Sequence, residues 1–166
     1  MFCYQGGYAL HLAPHCSKVT GVDSSRPALE VADRNALLNS REIEWIEANA
    51  FDLLRDYASA GRQYDTIVLD PPAFAKSKRN VPAALRGYHE INRRAMRLVS
   101  YGGWLVTASC SFHIQRPQFM EMIANAAAAS GRRFTLHSII GQGIDHPEIV
   151  TVPETGYLKG VVLRAD

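Results

Sequence analysis

Cys110 sits in Ser109-Cys110-Ser111, directly after the apolar run Trp104-Leu105-Val106-Thr107-Ala108, and Asp70 opens Asp70-Pro71-Pro72 directly after Thr66-Ile67-Val68-Leu69. A thiol and a carboxylate, each at the carboxyl end of a strand-like run, point to the crevice where open α/β sheets place their ligands. The pairing suits chemistry on a nucleobase. A thiolate can add to a pyrimidine ring while a neighbouring carboxyl handles the ring nitrogen. The ordinary alternative for a lone cysteine is an inert buried thiol. The place of Cys110 past a strand end, between two serines, argues against that fate.

The elements that must position these groups alternate along the chain. Lys18 to Val22 reads as a short strand ending in Asp23, and Ser24 and Ser25 can cap the helix that follows, with Pro27 near its first turn. That helix carries Leu29, Ala32, Ala36 and Leu37 at helical spacing. Ile43 to Glu47 alternates as a strand, and Ala50-Phe51-Asp52-Leu53-Leu54 begins a turn or helix. Tyr64 to Asp70 reads as a buried strand. Ala83 to Val99 reads as a helix with Leu85, Tyr88, Ile91, Ala95, Leu98 and Val99 on one face, stopped by Tyr101-Gly102-Gly103. Trp104 to Ala108 is the next strand, Pro117 to Ala129 a helix ended by Gly131, and Phe134 to Ile140 and Tyr157 to Leu163 are two final strands joined by the loop Gly141 to Thr155. Such alternation predicts a doubly wound, mostly parallel α/β sheet. One strand is short: Gln5-Gly6-Gly7-Tyr8 opens a glycine turn that normally follows a full strand, and Met1 to Tyr4 supplies only its tail. The expectation is a catalytic domain, residues 1–166, trimmed inside its first strand.

Composition sets the limits. The 166 residues are 47% hydrophobic and 20% charged, which suits one globular domain with a real core. No apolar stretch approaches the roughly 20 residues of a membrane helix, and no secretory leader is visible. Cys3, Cys16 and Cys110 have no metal-ligand spacing, and neither do His11, His15, His89, His137 and His146, so a metal site and a disulfide scaffold lack support. A reducing cytoplasm is the expected compartment.

Three loops carry a cofactor signal. Gly6-Gly7 lets backbone approach a ligand, and the helix Tyr8 to Ala13 would aim its N-terminus there. Asp23 ends a strand where an acid can accept hydrogen bonds from both ribose hydroxyls. Asn49-Ala50-Phe51-Asp52 closes the next strand, where a carboxylate could meet the exocyclic amine of adenine and Phe51 could lie against the ring. A double glycine alone is usually a plain turn, and acids at helix starts are usually caps. The three together fit an adenosyl ligand better than they fit coincidence, and the absence of a full Gly-x-Gly-x-x-Gly lowers the case for a dinucleotide.

With these residues in place the chain resembles a known family. Phe2-Cys-Tyr-Gln-Gly-Gly-Tyr-Ala-Leu-His, Val22-Asp-Ser-Ser, Ala50-Phe-Asp-Leu-Leu-Arg, Asp70-Pro-Pro-Ala-Phe-Ala-Lys, Ser109-Cys-Ser-Phe-His and Asp145-His-Pro with Pro153-Glu-Thr-Gly-Tyr-Leu-Lys are similar to the S-adenosylmethionine-dependent 23S ribosomal RNA cytosine-5 methyltransferases of bacteria. The resemblance runs along essentially the whole chain. It implies a class I methyltransferase-like (Rossmann-like) fold, a methyl donor held by Tyr4, Gly6, Gly7, Asp23, Ser24, Phe51, Asp52 and Asp70, Cys110 as nucleophile, and Asp70 on the target base. The family's RNA-binding PUA domain, its linking segment and most of the first strand have no counterpart here, and Gln5 stands where Thr is usual. The implied reaction adds the Cys110 thiolate to carbon 6 of cytosine, so that carbon 5 becomes nucleophilic, while the Asp70 carboxyl bonds ring nitrogen 3 and the amine. For removal of the carbon-5 proton, His113 and a water held by Asp70 both stay open.

The basic stretch Lys76, Lys78, Arg79, Arg86, Arg93, Arg94 and Arg97 faces only one acid, Glu90. Its bland reading is a solvated surface; its functional reading is that Lys76, Lys78 and Arg79 touch RNA phosphates beside a flipped base, with Arg86, Arg93 and Arg97 extending the positive surface. Two other readings compete. An exocyclic-amine methyltransferase would need Asp-Pro-Pro and no cysteine, but Ala73 intervenes before Phe74, where an aromatic usually follows the prolines directly. A non-catalytic remnant or RNA-binding module would leave sheet edges exposed that invite pairing with another chain, a homodimer included.

Overall fold

The computed structural model describes residues 1–166. The chain forms two compact units, Met1–Leu53 and Leu54–Asp166.

In the first unit, residues 1–6 join no strand, α1 spans Gly7–Leu12, and β1 (Thr20–Asp23) pairs in parallel with β2 (Glu44–Glu47) through α2 (Arg26–Leu38). The local chemistry explains α2. Ser25 adopts an extended conformation and its hydroxyl accepts the Ala28 N–H at 3.4 Å, while Pro27 occupies the first turn. Ala28, Leu29, Ala32 and Ala36 are buried. Leu37, expected on the same face, is 70% exposed, because one further residue of helix turns it off the apolar stripe. Ala9, Ala36 and Ile43 form one buried apolar cluster of the unit, with Leu10, Ala13, Val19 and Trp45 packed against it. The helix α3 (Ala50–Ser59) starts here, with the Asn49 carboxamide oxygen accepting the Phe51 N–H at 2.9 Å.

The second unit holds β3 (Tyr64–Leu69), α4 (Val81–Leu98), β4 (Val99–Ser109), α5 (Arg116–Ser130), β5 (Phe134–Ile140) and β6 (Lys159–Ala165). Its sheet runs β3-β4-β6-β5, with β3 and β4 parallel and β6 antiparallel to both neighbours. The strands therefore lie in two sheets, parallel where α2 and α4 cross over and antiparallel at β6. Along α4, Ala84, Tyr88, Ile91, Ala95 and Leu98 recur at helical spacing and are buried; the helix packs on α5, β3 and β4.

Tyr101-Gly102-Gly103 does not stop α4. The helix gives way to β4 at Val99, and the glycines lie within the strand at a bulge, where the register jumps from Tyr64↔Val99 to Thr66↔Trp104. Gly102 has φ 73°, and a Cβ on Gly103 would stand 2.7 Å from the Asp65 carbonyl oxygen, so these glycines shape a strand rather than end a helix. Gly131 ends α5 as expected, in the left-handed conformation at φ 72°. No helix is long and apolar enough to cross a membrane.

Candidate active site

Parallel pairing of β3 and β4 brings Leu69 opposite Thr107. Asp70 leaves the carboxyl end of β3 and Cys110 that of β4. The Cys110 Sγ–H faces the Pro71 carbonyl oxygen at 3.8 Å, and both Asp70 and Cys110 are half-buried. Burial pushes the Cys110 thiol up, and the nearby Asp70 carboxylate pushes it further in the same direction; Lys159 opposes both. Burial likewise raises the Asp70 carboxyl above its ordinary value. The Asp70 carboxylate thus acts on the Cys110 thiol from the end of the adjacent parallel strand.

The two loops are tied together by Tyr88, which lies outside the motifs, and by Ser111, which lies inside one and takes no role from it. The Tyr88 hydroxyl lies 3.0 Å from the Ser111 hydroxyl and 3.4 Å from the Pro72 carbonyl oxygen, and it accepts the Phe74 N–H at 3.4 Å. Ser111 Oγ accepts the Ala75 N–H at 3.2 Å, and the Phe74 ring sits 4.5 Å from that of Tyr88. The Asp-Pro-Pro-Ala-Phe loop is therefore fastened to the Cys110 loop through one buried phenol and one buried serine. On the other side, Lys159 is 5% exposed, and its Nζ donates to the carbonyl oxygens of Ser111 at 2.8 Å and Tyr157 at 2.7 Å. In the sequence, Tyr88 reads simply as a position on a buried helix face. The signal for Lys159 is a single lysine opening the apolar strand Gly160-Val161-Val162-Leu163.

His113 is half-buried, with its ring 5.3 Å from that of Phe112. Lys76, Lys78 and Arg79 are exposed on the loop beyond Asp70, and Arg86 is exposed on α4. The other α4 arginines are engaged within the fold: Arg93 and Arg94 both donate to Glu90, and Arg97 Nη2 reaches the Ala129 carbonyl oxygen at 3.5 Å. Asp145 and His146 pair with each other at 3.1 Å on an exposed loop.

The first unit holds every residue expected around an adenosyl ligand except Asp70, which belongs to the second. The Tyr4 N–H donates to Asp23 Oδ2 at 2.8 Å and the Ser25 N–H donates to Asp23 Oδ1 at 2.9 Å, so backbone fixes the carboxylate at the end of β1. Each oxygen keeps lone-pair capacity for a hydroxyl donor. Tyr4 holds φ 47°, a conformation that non-glycine residues rarely adopt and that is often found at ligand-binding loops. Gly6 follows at φ 85°; a Cβ there would stand 2.7 Å from the Trp45 ring, so glycine is demanded both by conformation and by space. The Gln5 carbonyl oxygen accepts from Asn35 Nδ2 at 3.1 Å, which anchors the loop to α2. Gly7 opens α1, Ser24 is exposed beside Asp23, and Phe51 and Asp52 lie in the first turn of α3.

A strained glycine turn, an oriented acid at the end of β1 and an acid in the first turn of α3 are the features of a class I S-adenosylmethionine-dependent methyltransferase fold. The family described as Methyltransferase small domain matches residues 3–136, and the chain belongs to it. Among curated relatives, the ribosomal RNA large subunit methyltransferase I of Aeromonas hydrophila is 40% identical over 168 residues, covering 99% of this chain and 42% of that protein. The protein of the same name from Escherichia coli is 41% identical over 167 residues, covering 98% of this chain and 42% of its own length. The chain thus spans less than half the length of these relatives. Among solved structures, the methyltransferase SMU.776 complexed with SAH superposes with TM-score 0.85 at 20% identity, covering 98% of this chain and 43% of that one. NSun6 from Pyrococcus horikoshii with SFG superposes with TM-score 0.70 at 19% identity, covering 96% of this chain and 45% of that one. S-adenosylmethionine is the cofactor this fold implies, and the Asp23 carboxylate and the glycine turn fit its ribose and its close approach to backbone.

Proposed function

We propose that this chain is the catalytic portion of an S-adenosylmethionine-dependent ribosomal RNA methyltransferase that modifies carbon 5 of a cytosine through a covalent Cys110 adduct. The observation that carries the reading is the placement of Asp70 and Cys110 at the ends of two adjacent parallel strands, with the Cys110 Sγ 3.8 Å from the Pro71 carbonyl oxygen. The names of the relatives support a ribosomal RNA substrate.

Asp23 holds the ribose hydroxyls of the donor, the Gly6-Gly7 turn lets backbone approach it, and Phe51 and Asp52 serve its adenine. When bound, the donor supplies an electrophilic methyl carbon. The remaining work falls to the side chains of the second unit. Burial drives the Asp70 carboxyl toward its protonated form, which is suited to donate a hydrogen bond to ring nitrogen 3. A neutral Asp70 also removes the like charge that opposes a thiolate at Cys110. The thiolate adds to carbon 6, the electron pair of the carbon 5–carbon 6 double bond shifts toward nitrogen 3, and the Asp70 proton moves to that nitrogen. The resulting enamine makes carbon 5 the nucleophile. After methyl transfer, ring nitrogen 3 returns its proton to Asp70 and a base removes the carbon-5 proton, whose electrons restore the double bond and expel the thiolate. His113 and a water held by Asp70 are the groups available for that proton.

Exposed Lys76, Lys78 and Arg79 supply the phosphate contacts in this reading, beside a base taken out of its stack so that a thiol can reach carbon 6. Mass spectrometry of nucleosides from RNA methylated by the protein tests the assignment. The expected product is 5-methylcytidine; a methyl group on the exocyclic amine would contradict it.

A further inference from the structure

Lys159 is a lysine at 5% exposure placed on the loop that carries the nucleophile. It arrives there through antiparallel pairing of β6 with β4, which sets Lys159 opposite Ser109, the residue before Cys110. Its Nζ donates to the carbonyl oxygen of Ser111, the residue after Cys110, at 2.8 Å, and to Tyr157 at 2.7 Å. The strand pairing and the ammonium group thus hold the chain on both sides of the cysteine. Two carbonyls take two of the three N–H donors of an ammonium group. Both acceptors are neutral, and a buried lysine is costly unless its charge is compensated.

We infer that Lys159 is a positioning residue for the nucleophile: it fixes the Cys110-Ser111 backbone through the Ser111 carbonyl and supplies the positive charge that stabilises the Cys110 thiolate. The inference rests on the reading of Cys110 as nucleophile. The charged groups facing the thiol are Asp70 from the loop after β3, which disfavours the thiolate, and Lys159 from β6, which favours it. Arg116, at the start of α5, adds positive charge near Lys159. Burial lowers Lys159, and Cys110 acts in the opposite sense on it, as expected of a cation beside a thiol that can ionise. With the thiol proton released to solvent, the thiolate charge is offset by that of Lys159, and the three groups together are net neutral once the Asp70 carboxyl is protonated.

The test is the rate of alkylation of Cys110 by iodoacetamide as a function of pH, read peptide by peptide by mass spectrometry in the 166-residue chain, with exposed Cys16 as internal reference. Lys159→Gln keeps an N–H donor and removes the charge. It should slow Cys110 alkylation near neutral pH by roughly tenfold and move the midpoint of the profile upward, with Cys16 unchanged. Lys159→Arg keeps the charge and should restore the rate to within about threefold of wild type. A Gln variant with an unshifted Cys110 profile would overturn the inference. Should that variant lose its cooperative melt, the Arg variant decides alone, and a profile shifted upward despite the retained charge would overturn it. A profile that responds to Lys159 in a protein that transfers no methyl group would leave this inference standing and remove the functional reading; an active enzyme with an indifferent profile does the reverse.

Discussion

The hydroxyls of Tyr88 and Ser111 lie 3.0 Å apart in the buried interior of the second unit, and that hydrogen bond joins the loop bearing Asp70 to the loop bearing Cys110. Tyr88 comes from the face of α4 that packs on the sheet, so helix packing is converted directly into loop geometry. Replacing Tyr88 with Phe leaves the ring in place and removes the bonds the phenol makes to the Ser111 hydroxyl, the Pro72 carbonyl oxygen and the Phe74 N–H. Removing buried hydrogen bonds of this kind costs about 1–3 kcal/mol. Chemical denaturation should show that destabilisation, and methyl transfer should fall by more than the unfolded fraction explains. A variant with wild-type stability and turnover would deny the phenol its role.

Glu90 provides a pH signature. Hydrogen bonds from Arg93 come first among the causes that hold its carboxyl down, to about 2, with Arg94 adding to them. A depressed folded value contributes stability that is fully present above the unfolded glutamate value and fades as pH falls toward the folded one. The group is partly solvated, so the contribution is screened to about 1 kcal/mol. The stability difference between wild type and Glu90→Gln should therefore be constant near neutrality and shrink as pH drops from about 4.5 to about 2. Urea titrations across that range measure it; a difference that stays flat down to the acid end would show that the ion pairs contribute nothing.

Gly6→Ala tests the donor loop. The substitution places a Cβ at φ 85° and 2.7 Å from the Trp45 ring. The left-handed conformation alone costs about 1 kcal/mol, and the close approach forces Trp45 or the loop to move. Isothermal titration with S-adenosylmethionine should show affinity reduced by at least about tenfold, while Asp23, fixed by the Tyr4 and Ser25 N–H groups, stays in sequence and in place. Unimpaired binding would separate the glycine turn from the donor.

Neutralising Lys76, Lys78 and Arg79 together should weaken RNA binding and flatten its dependence on salt by about 0.7–0.9 log unit for each phosphate that is no longer neutralised. The three side chains are exposed, so folding should be unaffected. Donor affinity should be unchanged. An unaltered salt slope would return these charges to the ordinary solvated surface.

Much of the second unit can be read from local pattern. The runs ending at Leu69 and Ser109 are dense in β-branched and apolar residues, so both strand ends, and with them Asp70 and Cys110, stand out. The glycines at 102 and 103 mislead, because a bulge and a helix stop use the same residue for the same backbone freedom. Only the partner strand, through the Asp65 carbonyl, distinguishes them. Lys159 lies beyond reach for a different reason. Its partner Ser111 is 48 residues away, and only the antiparallel register of β6 on β4 joins them. The α4 arginines show the converse. Their spacing suggests a common positive surface, yet the same helical spacing delivers Arg93 and Arg94 to Glu90.

The proposed chemistry requires a covalent bond between Cys110 and a cytosine. RNA carrying 5-fluorocytidine, incubated with the protein and S-adenosylmethionine, should trap it, since fluorine at carbon 5 cannot leave as a proton and the thiolate cannot be expelled. The expected result is a protein–RNA adduct stable to denaturing electrophoresis, mapped to the peptide containing Cys110 and abolished by Cys110→Ala. Methyl transfer to unmodified RNA that persists in Cys110→Ala, with no adduct in wild type, would contradict it.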